Sequence, residues 1–494
     1  MSRLLVKKPL QVAESEARGD QLKRVLGPGA LVAMGIGAII GAGIFVATGE
    51  AARNTAGPAL MVSFVVAGFT CLLAALCYAE FAAMTPVAGS AYTYAYTTLG
   101  ELFAWIIGWD LILEYAVGAS TVATGWSKYF SNFLSLFPPE WGLVVPAELN
   151  NAPLKYHDGK FVGTGSYINL PAVLIVLGLT GVLVKGIKES AFLNAIMVVV
   201  KVSAVLFVIA VGAFYINTAN WSDFAPYGWT GVNVFGYQVA GENVGGKPVG
   251  MLAGAAIIFF AYIGFDAVST QAEEAKNPRR DMPIGIIGSL VVCTVLYIAV
   301  VVVLTGMVRY DQLHEGAAVS EAFAQVGLPW AKALISAAAL AGLTSVMLVM
   351  MLGSARVLMS MSRDGLLPPF FSAIHPAFRT PAKGTMVIGA GIALMCGFLP
   401  LDALLEMTNI GTLFAFAIVS GAVLVMRYIN QTAPRPFRVP LVPLVPILSV
   451  AACLLLMLSL PAHNWYRLIV WMVIGLVLYF LYGRNHSILG RTNA

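Results

Sequence analysis

Charge is what this chain lacks most. Asp, Glu, Lys and Arg make up 11% of its 494 residues, against roughly 25% in soluble domains, too few to cover a water-soluble globule. The five cysteines, Cys71, Cys77, Cys293, Cys396 and Cys453, each lie in an apolar run, and none stands at a metal or disulfide spacing. They read as small packing residues. No Gly-x-x-x-x-Gly-Lys-Ser/Thr stretch occurs, which argues against the phosphate cradle that ATP-driven transport needs. Residues 1–27 are polar and the apolar run after them is too long for the core of a leader, so no cleaved signal peptide is expected. The net charge of +5 is scattered over short segments and does not point to nucleic acid.

What the chain has is apolar length: 59% of it is hydrophobic. Crossing a bilayer takes about 20 apolar residues. The runs predict twelve helical spans, at about 28–52, 59–84, 101–131, 169–184, 191–216, 250–272, 283–308, 328–360, 384–400, 402–427, 442–461 and 466–483. With the N-terminus in the cytoplasm, most Lys and Arg fall on cytoplasmic segments, so both termini are expected inside, at the inner (plasma) membrane of the cell. Segments 132–168 and 217–249 read as external loops, and 309–327 as carrying a short surface helix.

Span 1 contains Gly35-Ile36-Gly37-Ala38-Ile39-Ile40-Gly41-Ala42-Gly43-Ile44-Phe45. Glycine weakens a helix by about 1 kcal/mol relative to alanine, so this density fits either a close helix–helix contact or a break. A break is tolerated in hydrocarbon only where its freed backbone groups are buried in protein or line a cavity. Span 6 decides for the break. It carries Gly264 and Asp266 at mid-span, and an acid there costs about 2.5–3.5 kcal/mol unless it faces protein or a cavity. Interrupted spans at matching positions of two five-span halves point to an inverted-repeat transporter. The expected organisation is a 1–27 tail, a first repeat at 28–216, an external loop at 217–249, a second repeat at 250–427, two added spans in 428–483, and a 484–494 tail.

A broken helix offers N–H groups at the start of its second half and carbonyls at the end of its first. A zwitterion needs both, and no ionic side chain competes near Gly41–Gly43, so an amino acid is the simplest ligand. Within the spans, Lys201 is too deep to be a simple snorkelling lysine. Its ammonium would suit the freed carbonyls of span 1, and loss of its proton would release them. Glu114 heads a stripe with Gly118, Thr121 and Gly125 on one helix face. It is a proton carrier, a counter-charge for a basic substrate, or a structural bond. Met347, Met350 and Met351 of span 8 read as core fillers. Arg356, Arg363 and Asp364 could pair with the mixed-charge loop 272–283 and close the cytoplasmic exit.

Taken together, these residues resemble the amino acid–polyamine–organocation superfamily, in particular its bacterial cationic amino acid transporter branch. The match rests on the glycine stretch of span 1, Cys77–Phe81, Pro86–Tyr92, Gly108–Tyr115, Phe260–Asp266, Asn277–Pro283 and Ser362–Pro368. The resemblance implies an all-α membrane fold of twelve helices, similar to the leucine-transporter type, with a 5+5 inverted repeat, broken helices 1 and 6, and two C-terminal helices. It implies a substrate site over residues 39–43 (Ile39, Ile40, Ala42 and Gly43), with backbone at Ala42 and Gly43 on the carboxylate. Ile39, Phe260, Ala261 and Ile263 would hold the amino group, and Met350 would meet the substrate side chain. Lys201 would stand where sodium-dependent relatives bind a cation, hence proton coupling, with Glu114 and Asp266 tuning proton or substrate charge. Ala42 replaces the Ser or Thr usual in the family and so removes one possible bond to the carboxylate. The expected activity is secondary active, proton-coupled import of neutral or cationic L-amino acids by alternating access, and not enzymatic. An exchanger without net proton coupling, and a non-transporting sensor or channel, are the alternatives. The expected partners are an L-amino acid, protons and lipid, with no nucleic acid, metal or cofactor and no specified protein partner.

Overall fold

The computed structural model describes residues 6–9, 26–84, 90–157, 160–186, 190–272, 275–314, 316–429, 431–432 and 434–492. Pro86–Gly89 of the motif quoted above, Glu273 and Glu274 of the mixed-charge loop, and most of the 1–27 tail lie outside these residues.

The apolar runs fold as helices. They are α1 (Pro28–Ile39), α2 (Leu60–Met84), α3 (Ser90–Thr98), α4 (Glu101–Leu134), α5 (Leu170–Lys185), α6 (Ser190–Gly212) and α7 (Met251–Ile258). After these come α8 (Pro278–Met307), α9 (Ala318–Gln325), α10 (Pro329–Arg363), α11 (Ala382–Phe398), α12 (Leu401–Ile429), α13 (Leu444–Leu458) and α14 (Ala462–Leu478). Among the described residues, eight helical stretches are long and apolar enough to cross a membrane; the first, Pro28–Met84, is 57 residues long, and three shorter apolar helices accompany them. Proline opens α1, α5, α8 and α10 within the first turn, where its missing N–H would have had no intrahelical partner.

The central helix α4 packs on α10 and α12, α2 on α8, α1 on α8, α7 on α2, α6 on α10, and α5 on α11. The outer faces remain apolar: Leu174, Val199, Val295, Leu394 and Val470 are all exposed, as a lipid-facing surface requires. α13 packs on α12. α14 is pinned to α4 by two tryptophans, since the Trp109 ring N–H donates to the Trp471 carbonyl at 2.9 Å and the Trp471 ring N–H returns a bond to the Trp109 carbonyl at 3.1 Å.

Among the described residues, the segments expected as irregular loops hold three antiparallel hairpins: Leu154–His157 with Lys160–Gly163, Val232–Val234 with Tyr237–Ala240, and Glu242–Val244 with Lys247–Val249. These strands are short and lack a periodic apolar face, which is why their alternation did not stand out in the sequence. The short helix expected in 309–327 is α9, but it is no surface helix. Its Ala318, Val319, Ala322 and Phe323 are buried, and a Cβ on Gly49 would lie 2.2 Å from the Ala318 Cβ.

Candidate functional site

The two interrupted spans meet at the centre. α1 ends at Ile39, and Ile40 takes an extended conformation (φ −69°, ψ 103°). The chain bends through Gly41 and resumes as a wide turn over Gly43–Ala47 that runs on helically to Ala56. α7 ends at Ile258, tightens over Phe259–Tyr262, opens at Ile263 (ψ 135°), and resumes over Asp266–Gln271. Gly264 turns the chain with φ +119°, which side-chain-bearing residues rarely adopt. The breaks touch backbone to backbone. A Cβ on Gly43 would sit 2.1 Å from the Ala261 Cα, and one on Gly264 would sit 2.7 Å from the Ala38 carbonyl oxygen.

The freed backbone groups find specific partners. Lys201, fully buried in α6, donates from Nζ to the Gly37 carbonyl at 2.5 Å, the Ile40 carbonyl at 3.1 Å and Ser345 Oγ at 3.4 Å. Tyr297 of α8 donates its hydroxyl to the Ile39 carbonyl at 2.8 Å. The leading amides of the second half, at Ala42 and Gly43, stand at a helix start, where no intrahelical acceptor exists. Ile39, Ile40, Ala42, Gly43, Phe260, Ala261 and Ile263, the residues of the two breaks, are buried, and so is Met350 of α10. Two carbonyls expected to serve an amino group already accept bonds: Ile39 from Tyr297, and Phe260 from the Ile263 N–H at 3.2 Å. Each can take a ligand only through its second lone pair.

Beside the breaks, the stripe headed by Glu114 faces inward. A Cβ on Gly118 would lie 3.1 Å from Met350 Sδ, and one on Gly125 would lie 2.7 Å from Val46; Thr121 Oγ1 lies 3.5 Å from Thr408 Oγ1. Both Glu114 carboxylate oxygens are buried, and neither has a hydrogen bond within range among the described residues. Thr412, the hydroxyl beside Glu114, also donates to the Thr408 carbonyl at 3.0 Å. Asp266 accepts from the Tyr115 hydroxyl at 2.5 Å and from the Gly264 N–H at 3.1 Å. Glu114 thus adjoins Tyr115, the residue that donates to Asp266, whereas Lys201 bonds two carbonyls and a hydroxyl. Sequence reasoning missed Asp110, whose two oxygens are also buried without partners. Its place one helical turn before Glu114 on α4 was a usable signal. Tyr115, Tyr297 and Ser345 carried no such signal, because in an apolar helix they look like ordinary packing residues.

At the end bearing the termini, Asp364 accepts from Lys8 Nζ at 2.7 Å and from the Tyr92 hydroxyl at 2.6 Å. Glu101 accepts from Tyr96, Tyr479 and Ser487. The Lys8 N–H donates to the Tyr96 carbonyl, and the Ile488 N–H to the Asp364 carbonyl. The partners of Asp364 thus differ from the expected loop 272–283, whose Asp281 is occupied in accepting the Asn277 N–H at the start of α8. At the hairpin end, Lys247 bridges Asp402 at 3.1 Å and Glu406 at 2.9 Å, and His463 lies 2.6 Å from Glu406. Burial alone would lower the Lys247 ammonium, but the Glu406 and Asp402 carboxylates outweigh it and hold it above its ordinary value.

Residues 26–479 match a family described as amino acid permease. The chain is 45% identical to the methylthioribose transporter of Bacillus subtilis (strain 168), over 99% of this chain and 100% of that one. It is 47% identical to the branched-chain amino acid permease BcaP of the same organism, over 97% of this chain and 98% of that one. It is also 40% identical to the vacuolar cationic amino acid transporter 4 of Arabidopsis thaliana, over 83% of this chain and 64% of that one.

Proposed function

The chain belongs to the amino acid permease family, within the amino acid–polyamine–organocation superfamily, and from that premise we propose that it imports L-amino acids by proton-coupled alternating access. The observation that carries this reading is the junction of two broken helices, where one buried ammonium clamps the first-half carbonyls of span 1. The substrate carboxylate takes the amides at Ala42 and Gly43; its ammonium takes carbonyls at Ile39, Phe260 and Ala261, with Ile40 and Ile263 completing the wall. Met350, lying over Gly118, limits the side chain to small or medium neutral residues. When Lys201 gives up its proton, its bonds to Gly37 and Ile40 are lost and the first half of span 1 is free to tilt. Glu114 and Asp266 adjust the charge on the other side of the substrate.

The architecture proposed is twelve spans, obtained by counting Pro28–Met84 as two and adding the three shorter helices, with the repeat boundaries given above. Its support is a symmetry in the packing. Exchanging each of spans 1–5 with the span five later maps α2 on α8, α4 on α10 and α5 on α11 onto themselves. The same exchange turns α1 on α8 into α7 on α2, and α4 on α12 into α10 on α6. Both termini lie in the cytoplasm, which places the hairpins outside and the Lys8–Asp364 pair across the inner exit.

Proteoliposome uptake of labelled L-alanine, L-leucine and L-arginine, with and without an inward proton gradient, tests the reading. Saturable accumulation that follows the gradient is expected. Uptake that depends on internal amino acid and ignores the gradient would establish an exchanger instead, and binding without flux a sensor. Methylthioribose belongs in the same panel, because a full-length relative at 45% identity is named for it; its uptake to the exclusion of all three amino acids would overturn the substrate class.

A further inference from the structure

Beyond α14 a wide turn over Tyr479–Gly483 leads into two short helical pieces, Arg484–His486 and Ile488–Thr492. Chain ends ordinarily fray, yet Ser487, between the two pieces, is fully buried. Its hydroxyl donates to the Glu101 carboxylate, which also accepts from Tyr96 of α3 at 3.0 Å and from Tyr479 at 2.9 Å. Glu101 is buried at the start of α4, and a buried polar group is costly unless its atoms are hydrogen-bonded. Two of its three side-chain donors thus come from the last sixteen residues of the chain.

The second anchor is the turn that ends α10. The Asp364 side chain accepts from Lys8 Nζ at 2.7 Å, and its carbonyl accepts from the Ile488 N–H at 3.1 Å. Gly365 follows with φ +80°, and a Cβ there would collide with the His486 carbonyl oxygen. Glycine alone meets the positive φ and the close backbone approach together, so this turn is shaped to seat the C-terminal segment. The N-terminal segment uses the same two anchors in the opposite sense, since the Glu101 N–H donates to the Val6 carbonyl at 3.0 Å. Asp364 holds the N-terminal segment by its side chain and the C-terminal segment by its main chain; Glu101 holds the C-terminal segment by its side chain and the N-terminal segment by its main chain. Displacing either terminus therefore loosens the residues that hold the other.

We propose that the C-terminal segment 484–492 is half of a two-ended latch: docked on Glu101 and on the Asp364–Gly365 turn, it fixes the groups that hold the N-terminal segment, and its release lets this end of the bundle open. The proposal rests on the reading of the chain as an alternating-access carrier with both termini at the cytoplasmic exit. Ser487 and Ile488 act as positioning residues for the Lys8–Asp364 pair, which they do not themselves join. The latch also accounts for a fully buried serine and a backbone-seating glycine in segments that no substrate reaches.

The test is the rate of maleimide labelling, in nanodiscs, of the full chain carrying Val268→Cys. Val268 is buried in the second half of span 6, against the faces of α1 and α8 that carry Gly35 and Gly285, so it is labelled only when that end opens. The five native cysteines are buried, and their background is measured without the Val268 change. Ser487→Asp sets a second carboxylate against Glu101, and like charges in one site repel; it should raise the labelling rate several-fold. Ser487→Ala, which removes one donor only, should raise it less and in the same direction, and it carries the test alone if Ser487→Asp does not fold. Because both termini act on one latch, Ser487→Asp should add little to a chain that already carries Lys8→Ala, the non-additivity expected of coupled contacts. Labelling unchanged by the Ser487 variants, or effects that multiply with Lys8→Ala, overturns the latch. L-alanine, L-leucine and L-arginine uptake by the same preparations is read separately: its absence in wild type overturns the carrier reading, while the labelling rates still decide the latch.

Discussion

Replacing Lys201 by methionine removes the ammonium while keeping a straight side chain of similar reach. In the folded protein that ammonium bonds Gly37 O at 2.5 Å and Ile40 O at 3.1 Å, with Ser345 Oγ at the limit of range at 3.4 Å. Hydrogen bonds to charged groups contribute about 1.5–3 kcal/mol each, so the two carbonyl bonds together favour the clamped arrangement by roughly 3–6 kcal/mol. Turning a two-state equilibrium from 1:99 to 99:1 takes about 5.5 kcal/mol; loss of a single proton at Lys201 is therefore of the right size to switch span 1. Lys201→Met imitates the deprotonated state permanently. Its gross stability should change less than its transport, because losing the carbonyl bonds is offset by no longer burying an ammonium. In proteoliposomes with an acidic exterior, wild type should concentrate substrate, while Lys201→Met should only equilibrate or exchange it. Lys201→Arg should retain binding but lose proton drive, since a guanidinium does not release its proton in proteins. Undiminished gradient-driven accumulation by Lys201→Met would refute the role assigned to this lysine.

Further outcomes follow from the same geometry. Gly43→Ala places a methyl 2.1 Å from the Ala261 Cα, an overpacking against backbone that costs about 1–3 kcal/mol or more; uptake should be abolished and the melting temperature lowered. Gly41→Ala, whose methyl comes nearest the Val346 side chain at 2.9 Å rather than backbone, should be milder in the same two assays, and equal damage from both would contradict the backbone junction. Met350→Ala removes the thioether lying over Gly118 and should admit arginine, read as competition of L-arginine with labelled L-alanine; an unchanged competition profile would move selectivity elsewhere. Lys8→Ala breaks a pair whose members are 7% and 12% exposed while leaving Asp364 its bond from Tyr92. A loss of about 1–2 kcal/mol from the closed inner face should raise cytoplasmic-side cysteine labelling by roughly tenfold. Lys247, held above its ordinary value by Glu406 and Asp402, contributes stability that is fully present below the unfolded lysine value and lost only as pH rises through the higher folded one. Lys247→Met should therefore lower the melting temperature by a constant amount between pH 6 and 9, and a difference that varied across that window would point to another group.

Much of the fold was legible because hydrocarbon imposes local rules. Span length and the position of lysines and arginines are properties of the chain itself, and the helices fall where the apolar runs put them, apart from α3 and α9, which form between runs. The break in span 1 was legible only in combination, because four glycines alone suit a packing face as well as an interruption. The second interruption at Gly264, five spans later, separated the two. The hairpins were not legible: strands of three or four residues with little burial pattern leave no periodic signal.

For the candidate site, the sequence by itself determined which residues are out of place in a membrane: Lys201, Glu114, Asp266 and the glycines of residues 35–43. A lone charge or a helix-weakening cluster in an apolar run is costly wherever the chain folds. Which groups answer them was decided only by the tertiary structure. Lys201 meets Gly37 and Ile40 across more than 160 residues, Tyr115 meets Asp266 across 151, and Asp364 takes Lys8 rather than the loop expected for it. Sequence records the cost of each buried polar group, because that cost is local; the partner that offsets it depends on how distant helices are brought side by side.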